Sequence, residues 1–169
     1  LRQVPWVAAE DTRHSAPLLK HYCCSARLLA AHEHNEEAAA QQVIARLADG
    51  ESVALVSDAG TPGISDPGAR LVARVRKAGF RVVPLPGPCA AVTALSASGL
   101  SEAHFLFYGF LPARARQRED ALRGLATLPY ALVFYEAPHR ILETAAALAT
   151  VFGPERTLVI ARELTKLFE

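Results

Sequence analysis

Val53-Ala54-Leu55-Val56-Ser57-Asp58-Ala59-Gly60-Thr61-Pro62-Gly63-Ile64-Ser65-Asp66-Pro67-Gly68 sets a short apolar run directly against a long loop of small residues, proline and acid. The run is apolar on both faces, which suits a covered parallel strand better than a half-exposed antiparallel one. A helix cap does not need so long a small-residue loop, whereas a ligand pressed against backbone does. Asp58-Ala59-Gly60 is therefore read as functional. Asp66 followed by Pro67 is read as a cap plus first-turn proline, opening a helix that runs to about Ala78 and stops at Gly79.

The same alternation extends in both directions. Further strands are predicted at Val4–Ala9, Leu28–Ala31, Arg81–Leu85, Phe105–Phe110, Ala131–Tyr135 and Leu158–Ala161. Asn35 is placed to cap a helix that carries Glu36 and Glu37 in its first turn and ends before Gly50. Pro88 and Pro138 mark two more helix starts. Strands alternating with helices predict an α/β fold with mainly parallel sheets and right-handed crossovers. Gly99–His104 ends a small-residue helix and precedes an aromatic strand, so it divides the chain into domains at residues 1–99 and 100–169.

Composition narrows the class. With 51% hydrophobic and 21% charged residues, the chain has enough apolar side chains for a real core. No apolar run approaches the roughly 18 residues that span a bilayer, so no membrane association is expected. Cys23, Cys24 and Cys89 form neither a disulfide framework nor a zinc-ligand spacing, which points to a reducing cytoplasm. The net charge of +1 does not exclude a basic face. Arg114, Arg116, Arg118 and Arg123 cluster, as a solvated helix face or as an RNA contact.

Ligands of open α/β sheets bind beyond the carboxyl ends of the strands. The segments there are 58–68, Pro86-Gly87-Pro88-Cys89-Ala90, Glu136-Ala137-Pro138-His139-Arg140 and Arg162-Glu163-Leu164-Thr165-Lys166. No G-x-G-x-x-G follows a strand and no P-loop pattern is present, so a dinucleotide or P-loop site is unsupported. A G-x-S-x-G nucleophile turn is also missing. On a strand, His32 and His34 share a face. They can line a polar site, make capping hydrogen bonds, or share a metal completed by Asp11, Asp58 or Asp66.

Taken together, these loops resemble the ribosomal RNA small-subunit methyltransferase I family, within the tetrapyrrole-methylase-like superfamily. The matching segments are Ala9-Glu10-Asp11-Thr12-Arg13-His14, His32-Glu33-His34-Asn35-Glu36, Leu55–Pro62 with Ile64–Gly68, Val83–Pro88, Leu95–Leu100, Phe134–Arg140 and Ala161–Lys166. They cover essentially the whole chain, in order. The family's usual first strand and Pro-Ile-Gly-Asn-Leu loop precede the point where this sequence opens, and members continue past Lys166. A truncated chain is therefore expected. Cys89 stands where a serine is usual; it keeps the size and weakens the hydrogen bond.

The resemblance implies two α/β domains with S-adenosylmethionine in a cleft between them, and a homodimer. It implies methyl transfer to the 2′-hydroxyl of a cytidine in 16S ribosomal RNA of the small ribosomal subunit. On that reading, backbone groups of Asp58, Ala59, Gly60, Thr61 and Pro62 take the polar tail of the cofactor. The helix start at Cys89 and Ala90 offers N–H groups to its carboxylate, and Tyr135, Ala161, Arg162 and Glu163 line an adenine slot. No metal is required, because a sulfonium is already an activated methyl donor.

Catalysis then rests on alignment, exclusion of water and a base for the hydroxyl proton. Asp11 is ranked first as that base, with Glu10 and His32 as alternatives and Lys166 if burial lowers its pKa. Arg13, Arg140, Arg114 and Arg116 are the expected RNA contacts. Internal ion pairs with Glu10 or Glu136 are the other reading of Arg13 and Arg140. Three competing functions are a precorrin-type tetrapyrrole methyltransferase, a metal-dependent phosphoesterase on His32 and His34, and a non-catalytic RNA-binding assembly factor.

Overall fold

A computed structural model describes residues 1–168; Glu169, the last residue of the predicted second domain, lies outside them. The chain forms two compact units, Leu1–Pro88 and Cys89–Glu169.

Unit 1 holds β1 (Trp6–Ala9), α1 (Thr12–His21), β2 (Arg27–Ala30), α2 (Glu36–Ala48), β3 (Val53–Val56) and α3 (Ala69–Lys77). Its sheet is parallel in the order β2-β1-β3, with Val7 opposite Leu28 on one side and Ala54 on the other. Helices cover both faces of this sheet, which explains why the run at Val53 is apolar throughout. Ala8 packs with Leu29, Ala39, Ala40, Val43, Leu71 and Val75 from the α2 and α3 side. Val7 and Ala9 alternate to the other face, against Leu19 of α1.

Unit 2 holds α4 (Ala90–Ala97), β4 (Phe105–Phe110), α5 (Ala115–Leu125), β5 (Ala131–Tyr135), a single 3-10 turn at Pro138–Arg140 and α6 (Ile141–Phe152). β4 and β5 pair in parallel, with a register shift between Phe107 and Gly109. Gly109 takes a φ of 81° at that bulge, a conformation glycine adopts without a Cβ penalty. Leu111, Leu122 and Ala147 close the core beneath the α5 and α6 pair.

Several sequence expectations are corrected. Arg81–Leu85 is not a strand: Pro84, Pro86 and Pro88 remove ladder donors, and Leu85 is 81% exposed. Leu158–Ala161 is also unpaired, since the sheet of unit 2 contains β4 and β5 among the described residues. The helix predicted to open at Asp66-Pro67 begins instead at Ala69, behind Gly68 with φ 128°. The small-residue helix α4, placed in the first domain at the 99/100 division, belongs to unit 2 and packs on β5. Among the described residues no helix is long and apolar enough to cross a membrane.

Candidate active site

At the carboxyl edge of the unit 1 sheet, the turns after β1 and β3 are laced together. The Asp58 N–H donates to Glu10 Oε2 at 3.2 Å, and the Asp11 N–H donates to Asp58 Oδ1 at 3.3 Å. Each carboxylate thus fixes the backbone of the other turn. Within the β3 loop, Ser57 Oγ donates to the carbonyls of Ala59 and Gly60, and Thr61 Oγ1 donates to Pro88 O at 3.1 Å. Gly60 and Gly63 both sit at φ near +79°, and Ser65 is held at φ 61°. A left-handed serine between two turns is strain of the kind concentrated at functional loops.

Asp66 does not cap a helix. Burial pushes its carboxyl above the ordinary range, the neighbouring charges of Glu10 and Asp58 add to this, and the Ser57 hydroxyl opposes it. Asp66 therefore joins a group of three carboxylates. Sequence reasoning missed this because a Pro after an Asp is so good a cap signal; four acidic residues in two strand-end segments were the available hint.

The capping task falls to Glu36. Its Oε2 accepts from the N–H groups of Gly68, Arg70 and Leu71 at 3.0–3.3 Å, and the residue is 8% exposed. The carboxylate of one helix thus satisfies the free donors of another. Asn35 makes no side-chain cap for α2 either. It accepts from His32 N–H at 2.7 Å and donates to Ala30 O at 3.0 Å, which shapes the turn after β2.

Asp11 is the N-cap of α1, accepting from the Arg13 N–H at 2.8 Å. It also receives both arms of the Arg13 guanidinium, at 3.1 and 2.8 Å. These bonds hold its carboxyl far below the usual carboxylate range. Arg13, 90% exposed at its side chain, pairs with Asp11 and not with Glu10. His32 and His34 lie in a turn and not on a strand, with ring centroids 6.1 Å apart. Among the described residues, no three His, Cys, Asp or Glu side chains are grouped to hold a metal ion.

In unit 2, Tyr135 OH accepts from the Ala91 N–H at 3.3 Å, so one donor at the start of α4 is already engaged. Phe107 and Phe110 contact the Tyr135 ring edge-on at 4.9 and 5.6 Å. A groove of about 320 Å³ lies between Ala94, Ala97 and Ser98 of the α4 side and the segment Val159, Ile160, Ala161, Arg162 and Leu164. Small residues on α4 leave this space, and Glu163 and Thr165 take φ of 56° and 64° beside it. Lys166 is exposed, so the burial on which its role as a base depended is absent.

The expected RNA contacts divide. Arg140 turns inward, its Nε 3.2 Å from Glu136 and its guanidinium donating to Leu111 O at 2.7 Å. This is the internal pair with Glu136 that was the other reading of Arg140. Arg118, 3% exposed, pairs with Glu143, and Arg123 pairs with Glu119 and Asp120. Arg114 and Arg116 are exposed, and their side chains have no hydrogen-bond or ion-pair partner among the described residues.

A parallel α/β sheet whose carboxyl-edge loops are rich in glycine and acid has the architecture in which α/β proteins place their ligand sites. The chain belongs to the Tetrapyrrole (Corrin/Porphyrin) Methylases, whose family pattern matches residues 1–169. It is 53% identical to the ribosomal RNA small subunit methyltransferase I of Escherichia coli O157:H7 over 169 residues, all of this chain and 59% of that protein. The protein of the same name in Xylella fastidiosa (strain Temecula1) is 56% identical, with 62% of its length covered. That of Synechocystis sp. is 47% identical, with 61% covered. The chain thus spans about three-fifths of the length of the relatives it matches.

Proposed function

We propose that the protein uses S-adenosylmethionine to methylate the 2′-hydroxyl of a cytidine in 16S ribosomal RNA of the small subunit, in the cytoplasm and as a homodimer. The observation that carries this reading is the identity of 47–56% over all 169 residues to proteins named for that class of reaction. The residues suit the cofactor. The groove lined by Ala94, Ala97, Val159, Ile160 and Ala161 is apolar and of a size to take an adenine ring. The loop Asp58–Pro62 turns through Gly60 at φ 78° and is exposed at Asp58, Ala59 and Gly60, so its backbone is within reach of a zwitterionic tail. The bound cofactor supplies an electrophilic methyl group.

The chain's own groups do the rest. Glu10 and Asp58 hold the two turns in register through the backbone bonds between them. Asp11 is poorly suited to take the hydroxyl proton, because a carboxyl so strongly acidified by Arg13 is a weak base. Asp66, whose proton affinity is raised, is the better acceptor, with Glu10 beside it and His32 on the adjoining turn. Arg114, Arg116 and the exposed Arg13 serve as phosphate contacts.

Labelled methyl transfer to small ribosomal subunits, run beside uroporphyrinogen, tests the reading. Transfer to the subunit alone is expected. Transfer to the tetrapyrrole alone would replace it with the precorrin-type activity. RNA binding without any cofactor binding in a calorimetric titration would reduce the protein to an assembly factor.

A further inference from the structure

Residues 67–101 contain no acidic side chain, yet carry Arg70, Arg74, Arg76, Lys77 and Arg81. The first four lie on α3, whose buried face is Leu71 and Val75. The cations therefore lie off the buried face, with Arg70, Arg74 and Lys77 in an i, i+4, i+7 stripe and Arg76 about 120° further round, across Ala73. Arg74 is compensated by Glu37 of α2. Arg70, Arg76, Lys77 and Arg81 are exposed, and their side chains have no hydrogen-bond or ion-pair partner among the described residues.

Local stability explains only part of this pattern. Arg74, Arg76 and Lys77 sit in the last turn, where cations suit the helix dipole. Arg70 sits in the first turn, where a cation is unfavourable, and Arg81 lies beyond the helix. Alongside runs a groove of about 190 Å³ between α2 and α3, lined by Ala40, Gln41, Ile44, Arg74, Lys77 and Ala78. Between the cations on the outward face of α3 stands only Ala73, so the helix itself presents no large apolar side chain to a lipid surface. At a rise of 1.5 Å per residue, Arg70 and Lys77 are about 10 Å apart along the axis, enough to meet more than one phosphate.

We propose that the solvent face of α3, with the groove beside α2, is a docking surface for the phosphodiester backbone of RNA. The surface is continuous with the site, since α3 emerges directly from the loop Ser57–Gly68. This inference rests on the reading of the protein as an RNA methyltransferase. Contacts of this kind set register and supply salt-dependent affinity without reading sequence.

The test compares the protein with a variant carrying Arg70→Gln, Arg76→Gln and Lys77→Gln, and with Lys77→Glu alone should the triple variant misfold. Binding to a fragment of small-subunit ribosomal RNA is followed across a salt series, and S-adenosylmethionine affinity is measured by calorimetry. For the triple variant, affinity is expected to fall roughly tenfold or more. The slope of log affinity against log salt is expected to shrink by about two to three, with cofactor affinity unchanged. For Lys77→Glu, a slope smaller by about one is the corresponding result. An unaltered slope in a variant of a protein that does bind RNA overturns the α3 surface and leaves the proposed function standing. A parent protein that binds cofactor but no RNA overturns both. Loss of binding to anionic vesicles, with RNA binding intact, assigns the surface to a membrane and also overturns the inference.

Discussion

Asp11 and Asp66 each lie beside Asp58 on unit 1, yet their surroundings drive them in opposite directions. Asp11 caps α1 and grips Arg13, which stabilises its charge. Asp66 is partly buried among other carboxylates, which opposes its charge. Replacing Asp11 by Asn keeps a good cap and removes the charge. Methyl transfer is expected to survive, whereas abolished transfer with normal cofactor affinity would return Asp11 to the proton-transfer step. Asp66→Asn is expected to do the reverse. Because its folded-state pKa is raised, the native state binds that proton more tightly than the unfolded chain, so stability rises as pH falls towards the ordinary Asp range. At neutral pH the charge is a burden. Asp66→Asn should therefore melt higher than the parent at pH 7, with the gap closing near about pH 4, and should lose transfer. A lower melting temperature at pH 7 would contradict the placement of Asp66 among like charges.

Among the elements, α3 depends on a residue that no local pattern nominates. Glu36 belongs by sequence to the first turn of α2, where its carboxylate already suits the dipole. Only the packing of α2 beside α3 brings it to the N–H groups of Gly68, Arg70 and Leu71. Truncation to Ala leaves those donors without their acceptor. The expected cost is about 2 kcal/mol in urea unfolding, with partial recovery in Glu36→Gln. Wild-type stability in Glu36→Ala would show that water serves the helix start equally well. Sequence reading falls short at this scale for a physical reason. Caps, apolar periods and turns are local, so β1, β3, β4, β5 and α2 are legible within a few residues. A cap supplied across space, a carboxylate desolvated by neighbours and an arginine turned inward onto a distant helix, as at Arg118, depend on tertiary contacts that no short window contains, whereas the pair of Arg140 with Glu136 lies within one.

Over the whole molecule, the loops that carry the family resemblance were legible because glycine, proline and acid stand where apolar strands stop. Their separate duties were not, since Asp11, Asp58 and Asp66 look alike in sequence. The two pairing failures have different origins: proline removes donors from 81–85, and 158–161 has no strand beside it among the described residues. If the strand-end loops bind S-adenosylmethionine, the native state gains stability by mass action. Melting temperature should climb with the logarithm of cofactor concentration, by the equivalent of about 2.7 kcal/mol at a hundredfold excess over Kd. A flat response would mean that these loops do not hold the cofactor.

The bond from Glu36 also ties together places that lie far apart in the chain. Asn35 governs the turn that carries His32, and the very next residue clamps the end of the loop that carries Asp66. The two turns are therefore held by neighbouring side chains on either side of a single peptide unit. Deuterium uptake at the Gly68, Arg70 and Leu71 amides becomes a remote gauge of what touches His32.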